Sequence, residues 1–345
     1  MNSVNSVEFS KHNTNVAFIH KPDIFIILAE SYNSFREQQK EYGIENSKLK
    51  QYLQQNNFEI ENAFSNYDHT TASSLAIFYM QHHYNKFLEG NHDLTAQGRG
   101  LLNGNTLNAA LAILKKNNYY TSFIDCGGYL VKQKGELYNY TPAKNFWGHL
   151  PSPLEKPMIP INIILKKIHI YIKFMNDVDT TVALKDAMSA KPNDMPGFYF
   201  IREGADHVTY EKTPEVWRKN YRELIKEGDR KIISLLRLIQ EKSPDSIVVI
   251  LGDHGGKMYQ LKKLSKDDFI KDLYEVLFAV KMPVSLSKQG KWNEYANTAV
   301  NLFPKIFNML SGNSSLLDGL EKKAHSIDRN GKVIAVDGNP VDVKP

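Results

Sequence analysis

A chain of 345 residues with 42% hydrophobic composition is long enough to bury a sizeable core, as one large α/β domain or two modest ones, which excludes disorder as its default state. Its 43 basic and 38 acidic residues are interspersed, giving +5 without the dense Lys/Arg block of a nucleic-acid binder, so no nucleic-acid partner is expected. The single cysteine, Cys126, excludes an intrachain disulfide, a Cys-rich zinc site and a Cys-x-x-Cys redox pair.

Residues 1–21 are polar and aperiodic and end at Lys21-Pro22, which reads as a lead or linker. No stretch reaches the roughly 18 apolar residues of a membrane span, and the first residues lack a signal-peptide pattern. As given, the chain reads as soluble, and any membrane association is left to a segment outside this sequence. The residues do not fix its compartment, the cytoplasm included.

Residues 23–28 (Asp-Ile-Phe-Ile-Ile-Leu) form a continuous apolar run of strand length, as expected for a parallel strand covered on both faces. Residues 68–75 are the densest hydroxyl cluster and precede an apolar helical segment, 75–80. A helix capped by Thr106 and stopped by Asn117-Asn118 is predicted next, then a strand at 120–124. A strand at 197–201, a helix over 221–242 and a second fully apolar strand at 246–251 follow. Asn330-Gly331 between short strands signals a terminal hairpin. The predicted fold is α/β, a mostly parallel central sheet flanked by helices, in a domain over 22–325 with a hairpin and tail over 326–345.

In open parallel sheets, ligands bind beyond the carboxyl ends of the strands. Two apolar strands here run straight into chemistry-bearing residues: Glu30-Ser31 after the first, and Asp253-His254-Gly255-Gly256 after the later one. Two carboxylates and an imidazole make a divalent-metal site suited to zinc or manganese, with a position open for substrate. Taken singly, Glu30 is equally a helix cap and Asp253-His254 a surface pair.

A nucleophile is expected among Thr70, Thr71 and Ser73, where a helix N-terminus favours both an alkoxide and a phosphate; simple capping is the competing reading. His207 follows the strand at 197–201 and is placed to donate a proton to a phosphate or leaving group, ahead of the weaker candidates His69, His82, His83 and His149. Trp147 is read as a sugar-stacking platform or a core aromatic.

Together these motifs resemble the alkaline phosphatase superfamily, in its sulfatase-like branch of lipoteichoic acid synthases and phosphoethanolamine transferases. The resemblance covers residues 22–312. It rests on the strand ending in Glu30-Ser31, on Thr71-Ala72-Ser73-Ser74, on Gly252-Asp253-His254-Gly255, and on a late helix containing Asn301-Leu302-Phe303-Pro304. It implies Glu30, Thr71, Asp253 and His254 as metal ligands, Thr71 as nucleophile, and His207 as a substrate-binding residue.

The implied reaction transfers a phospho-alcohol group of phosphoethanolamine or phosphoglycerol type from a phospholipid or other phosphodiester donor to a glycan acceptor, through a phosphothreonine. Hydrolysis by the same machinery is the alternative, and a catalytically silent glycan-binding protein the third. Cys126-Gly127-Gly128 lacks the Cys/Ser-x-Pro-x-Arg context of a formylglycine sulfatase, which disfavours sulfate-ester hydrolysis. Residues 258–271 hold no histidine, which puts a second metal in doubt.

Overall fold

The computed structural model describes residues 15–45, 47–82, 102, 108–125, 129–131, 135–142, 179–204, 213–258, 264–286, 295–327 and 333–335. Six strands, β1 (Ile24–Glu30), β2 (Glu59–Phe64), β3 (Tyr120–Asp125), β4 (Gly197–Gly204), β5 (Ile247–Gly252) and β6 (Glu275–Lys281), form one sheet in the order β2-β6-β5-β1-β4-β3. Only β6 runs against the others, pairing antiparallel with both β5 and β2. The sheet is mostly parallel, as read from the sequence, and β6 makes it a mixed one.

Side chains alternate across β1, and both faces are covered. Ile24, Ile26 and Leu28 pack into a cluster with α3 (Thr70–Tyr79), α4 (Ala109–Lys116) and α8 (Ala299–Ser311). Phe25, Ile27 and Ala29 pack on the opposite side with α1 (Phe35–Tyr42), α2 (Lys48–Gln55), α5 (Thr180–Ala190) and α6 (Pro214–Lys242). Each fully buried Ile, Leu or Phe of such a strand contributes ~1.5–3 kcal/mol, so the continuous apolar run specifies the central position. The remaining helix, α7 (Lys266–Tyr274), leads directly into β6.

Several local expectations shift. The long helix begins at Pro214, because Thr213 accepts from the Val216 N–H and Pro fits the first turn. Asn108 caps α4 by accepting from Leu111 N–H at 2.8 Å; Thr106 lies outside the described residues. Thr71 and Ser73 do not cap α3: His69 holds that position and makes no side-chain cap bond. The hairpin pairs β7 (His325–Ile327) with β8 (Val333–Ala335), and Ser326 donates to the Ser65 carbonyl. No helix among the described residues is long and apolar enough to cross a membrane.

The last residues of the polar lead are docked. Val16 and Phe18 are buried, and Asn117 accepts from Phe18 N–H at 2.7 Å while donating to the carbonyls of Val16 (2.7 Å) and Ile113 (2.9 Å). Asn117→Ala removes three buried hydrogen bonds and orphans their partners, so urea unfolding is expected to show a loss of about 2–3 kcal/mol.

Lys305 in α8 is also buried, donating to Tyr295 O and Asn297 Oδ1 at 2.8 Å each. Burial pushes its pKa down to about 8 against the opposing pull of Glu61. Between pH 8 and 10 the unfolded chain therefore binds more protons at this residue than the folded one, and stability is expected to rise with pH across that window. Comparing wild type with Lys305→Met by thermal melts at pH 8 and pH 10 checks this: the rise, of order 2 kcal/mol, belongs to wild type only.

Candidate active site

The parallel register sets Ala29 beside Gly252, so Glu30 and Asp253 leave the sheet at one edge. Ser31, with φ of 56°, turns the chain sharply there and points its N–H at Asp253 Oδ1, 2.8 Å away. The His254 N–H donates to the same oxygen at 2.8 Å. Two backbone donors fix the carboxylate, and its other oxygen, Oδ2, is buried without a hydrogen bond among the described residues.

His254 Nδ1 lies 2.9 Å from the Gly255 carbonyl, an acceptor only, so Nδ1 carries the proton and Nε2 presents a lone pair. That nitrogen is 3.6 Å from Asp253 Oδ2. An imidazole lone pair and a carboxylate oxygen converging in a buried place repel one another unless a cation, or a proton on Nε2, joins them. The donor chemistry therefore fits a divalent cation.

The turn is anchored from beneath. Asn33 accepts from Gly256 N–H at 2.7 Å and donates to Asp272 O at 2.9 Å, while Gly255 N–H donates to Leu273 O at 2.8 Å. These bonds press the turn against the junction of α7 and β6.

α3 is buried all round, and its first turn is stitched to the same turn: Ser73 Oγ donates to the Asp253 carbonyl at 2.7 Å and lies 3.0 Å from Ser65 Oγ. Ser73 is thus spent on structure. The Thr71 hydroxyl is buried and has no hydrogen-bond partner among the described residues, and the same holds for Ser74. His69, two residues before Thr71, holds Asp68 Oδ1 through Nδ1 at 2.8 Å.

Glu30 is engaged on its far side by Arg202 of β4, which also donates to Asp125 Oδ1 at 3.0 Å and lies over the Tyr129 ring. Burial is the largest influence on this guanidinium and opposes its charge, yet Glu30 and Asp125 together outweigh it and raise its pKa. Among the described residues no three His, Cys, Asp or Glu side chains stand in a metal-binding arrangement. Glu30 shares the edge with Asp253 and His254, and its carboxylate is drawn to Arg202.

His207, Trp147, His83 and His149 lie outside the described residues. His82 pairs with Glu321 instead of facing the turn. Arg202 and Asp125 went unread in the sequence: Asp125 ends β3 as Glu30 ends β1, whereas Arg202 lies within β4, opposite Leu28.

The family model described as Sulfatase matches residues 22–312. This chain belongs to the sulfatase family. Solved structures with the same fold include the C-terminal periplasmic domain of EcEptC from Escherichia coli in complex with zinc (TM-score 0.57, 13% identity, 93% of this chain and 94% of that one). The soluble domain of lipooligosaccharide phosphoethanolamine transferase A from Neisseria meningitidis gives 0.55 at 12% identity, covering 86% and 91%. The lipoteichoic acid synthase LtaP from Listeria monocytogenes gives 0.54 at 14%, covering 86% and 76%. A search of curated proteins finds no match. Family membership agrees with the resemblance carried by Glu30-Ser31, Thr71 and Asp253-His254.

Proposed function

We propose that this sulfatase-family chain is a metal-dependent phosphotransferase that moves a phospho-alcohol group from a lipid or other phosphodiester donor to a glycan through a phosphothreonine at Thr71. The observation that carries the reading is the pairing of Asp253 Oδ2 with His254 Nε2 beside a helix whose first turn holds an unengaged buried hydroxyl. Glu30, Thr71, Asp253 and His254 would hold a zinc or manganese ion, which when bound supplies positive charge to the phosphoryl oxygens and acidifies the Thr71 hydroxyl. Relatives named for phosphoethanolamine transfer and lipoteichoic acid synthesis share this fold, and the absence of a Cys/Ser-x-Pro-x-Arg context around Cys126 disfavours sulfate hydrolysis.

Thr71 Oγ forms a bond to phosphorus as the donor's bridging oxygen leaves with a proton. The acceptor hydroxyl then attacks the phosphothreonine, giving up its proton and freeing Thr71. The α3 N-terminus, where His69 makes no side-chain cap bond, stabilises the charge that develops on the phosphoryl oxygens. His207 supplies the proton to the leaving oxygen, and Trp147 stacks on the acceptor sugar. Hydrolysis is the second reading, in which water replaces the acceptor.

Incubation with manganese and phosphatidylethanolamine or phosphatidylglycerol vesicles, followed by peptide mass spectrometry, is expected to show a phospho-alcohol adduct on Thr71. An adduct on Thr70 or Ser73 would move the nucleophile. Turnover that needs neither metal nor Thr71 would sink the proposal. Adding a soluble glycan separates the readings: a transferase labels it, and a hydrolase releases the phospho-alcohol.

A further inference from the structure

Ser31, the residue after β1, has its N–H and its carbonyl held by two different parts of the fold. The N–H donates to Asp253 Oδ1 at 2.8 Å, and the carbonyl accepts from the Tyr221 hydroxyl of α6 at 2.9 Å. Its φ of 56° is a left-handed conformation that crowds the Cβ of any residue but glycine. Relaxing that strain would rotate the peptide and take the N–H off the carboxylate. The bond from Tyr221 opposes the rotation.

The same phenol oxygen accepts from the Asn33 N–H at 3.2 Å and lies 3.1 Å from Asn33 Oδ1, which accepts from Gly256 N–H at 2.7 Å. One hydroxyl therefore meets the turn after Glu30 directly and, through Asn33, the turn that carries Asp253 and His254. The ring itself is fixed. It is buried and stacks on Tyr42 with centroids 3.9 Å apart, and a Cβ added at Gly256 would stand 2.8 Å from its Cε2. Burial raises the pKa of this phenol, so the oxygen keeps the proton it donates.

We propose that Tyr221 is a positioning residue for metal binding: its hydroxyl locks the left-handed Ser31 peptide, which in turn aims the Asp253 carboxylate beside His254 Nε2. This rests on the phosphotransferase reading above, in which Asp253 and His254 hold a divalent ion. The hydrogen bonds of Tyr221 go to Ser31 and Asn33, and it acts through them.

The test is manganese affinity, by equilibrium dialysis with elemental analysis, for wild type, Tyr221→Phe and Tyr119→Phe, with thermal melts on each. Tyr119 is the matched control, a buried tyrosine whose hydroxyl donates to the Pro22 carbonyl at 2.9 Å, just before the other end of β1. Both variants are expected to melt below wild type, and only Tyr221→Phe to bind manganese about 10–100-fold more weakly. Adding Ser31→Gly to Tyr221→Phe is expected to recover most of that loss, because glycine takes the left-handed turn without the hydroxyl. Unchanged affinity in a folded Tyr221→Phe, or an equal loss in Tyr119→Phe, overturns the inference and leaves the phosphotransferase reading intact. Where Tyr221→Phe alone does not fold, the double variant decides: recovered folding with near wild-type affinity supports the role. A double variant that recovers neither folding nor affinity overturns the route through Ser31. A wild-type chain that binds no manganese overturns the metal site itself, and this role with it.

Discussion

Thr71→Val is expected to reduce turnover by about 10⁴-fold or more while leaving the protein as stable as wild type or slightly more so. The two halves of this expectation come from one fact. The Thr71 hydroxyl is buried and, among the described residues, makes no hydrogen bond. A buried hydroxyl in that condition costs stability, so replacing it with the isosteric methyl removes a penalty of about 1 kcal/mol or more and opens no cavity. A residue kept at such a cost is best explained by chemistry. Ser73 provides the contrast: its hydroxyl holds the Asp253 carbonyl and approaches Ser65, so Ser73→Ala is expected to destabilise by about 1–2 kcal/mol and to lower activity only through the displaced turn. Rates on a chromogenic phosphodiester, taken with urea unfolding, check both variants. Equal activity in Thr71→Val and wild type would remove Thr71 from the mechanism.

How much of this was legible in the residues follows from what each element is packed against. β1 and β5 are covered on both faces, so their sequences are unbroken apolar runs, and the polar residues that end them stand out. β2 is an edge strand with Glu59, Glu61 and Asn62 in it, and neither its pattern nor its composition separates it from a loop. β6 follows α7 without an intervening turn residue, so its apolar run reads as the tail of a helix. The metal candidates were visible as residue types, whereas the choice among Thr70, Thr71 and Ser73 was not, because it depends on which hydroxyl the tertiary structure consumes. Glu30 was visible as a carboxylate at a strand end. Its pairing with Arg202 was hidden, because the partner lies 172 positions away and enters only through the register of β1 with β4. Arg202 lies within β4, short of its end at Gly204, so the rule that revealed Glu30, a polar residue ending a buried strand, does not single it out.

Gly255→Ala is expected to be the most destructive small substitution in the site, for a reason that lies in the backbone. A Cβ at this position would stand 1.9 Å from the Asp272 carbonyl oxygen, 2.9 Å from the carbonyl carbon and 2.5 Å from Asn33 Nδ2. The Asp272 carbonyl belongs to α7 and cannot rotate away as a side chain would. Relief requires the whole turn to lift, which breaks the Gly255 N–H bond to Leu273 O and moves the Gly255 carbonyl that sets the His254 tautomer. Overpacking against backbone of this kind costs about 3 kcal/mol or more, and losing the group that orients a metal-binding imidazole weakens metal affinity by about 10–100-fold. Crowding is separable from conformational strain by Gly319→Ala, where φ is 81° and no atom lies within 4 Å of the added Cβ. That variant is expected to lose only the ~1–2 kcal/mol of a left-handed non-glycine residue and none of its manganese affinity. Urea midpoints and manganese dialysis on the two variants decide the matter: equal losses in both would show that the Gly255 contact is not what holds Asp253 and His254 in place.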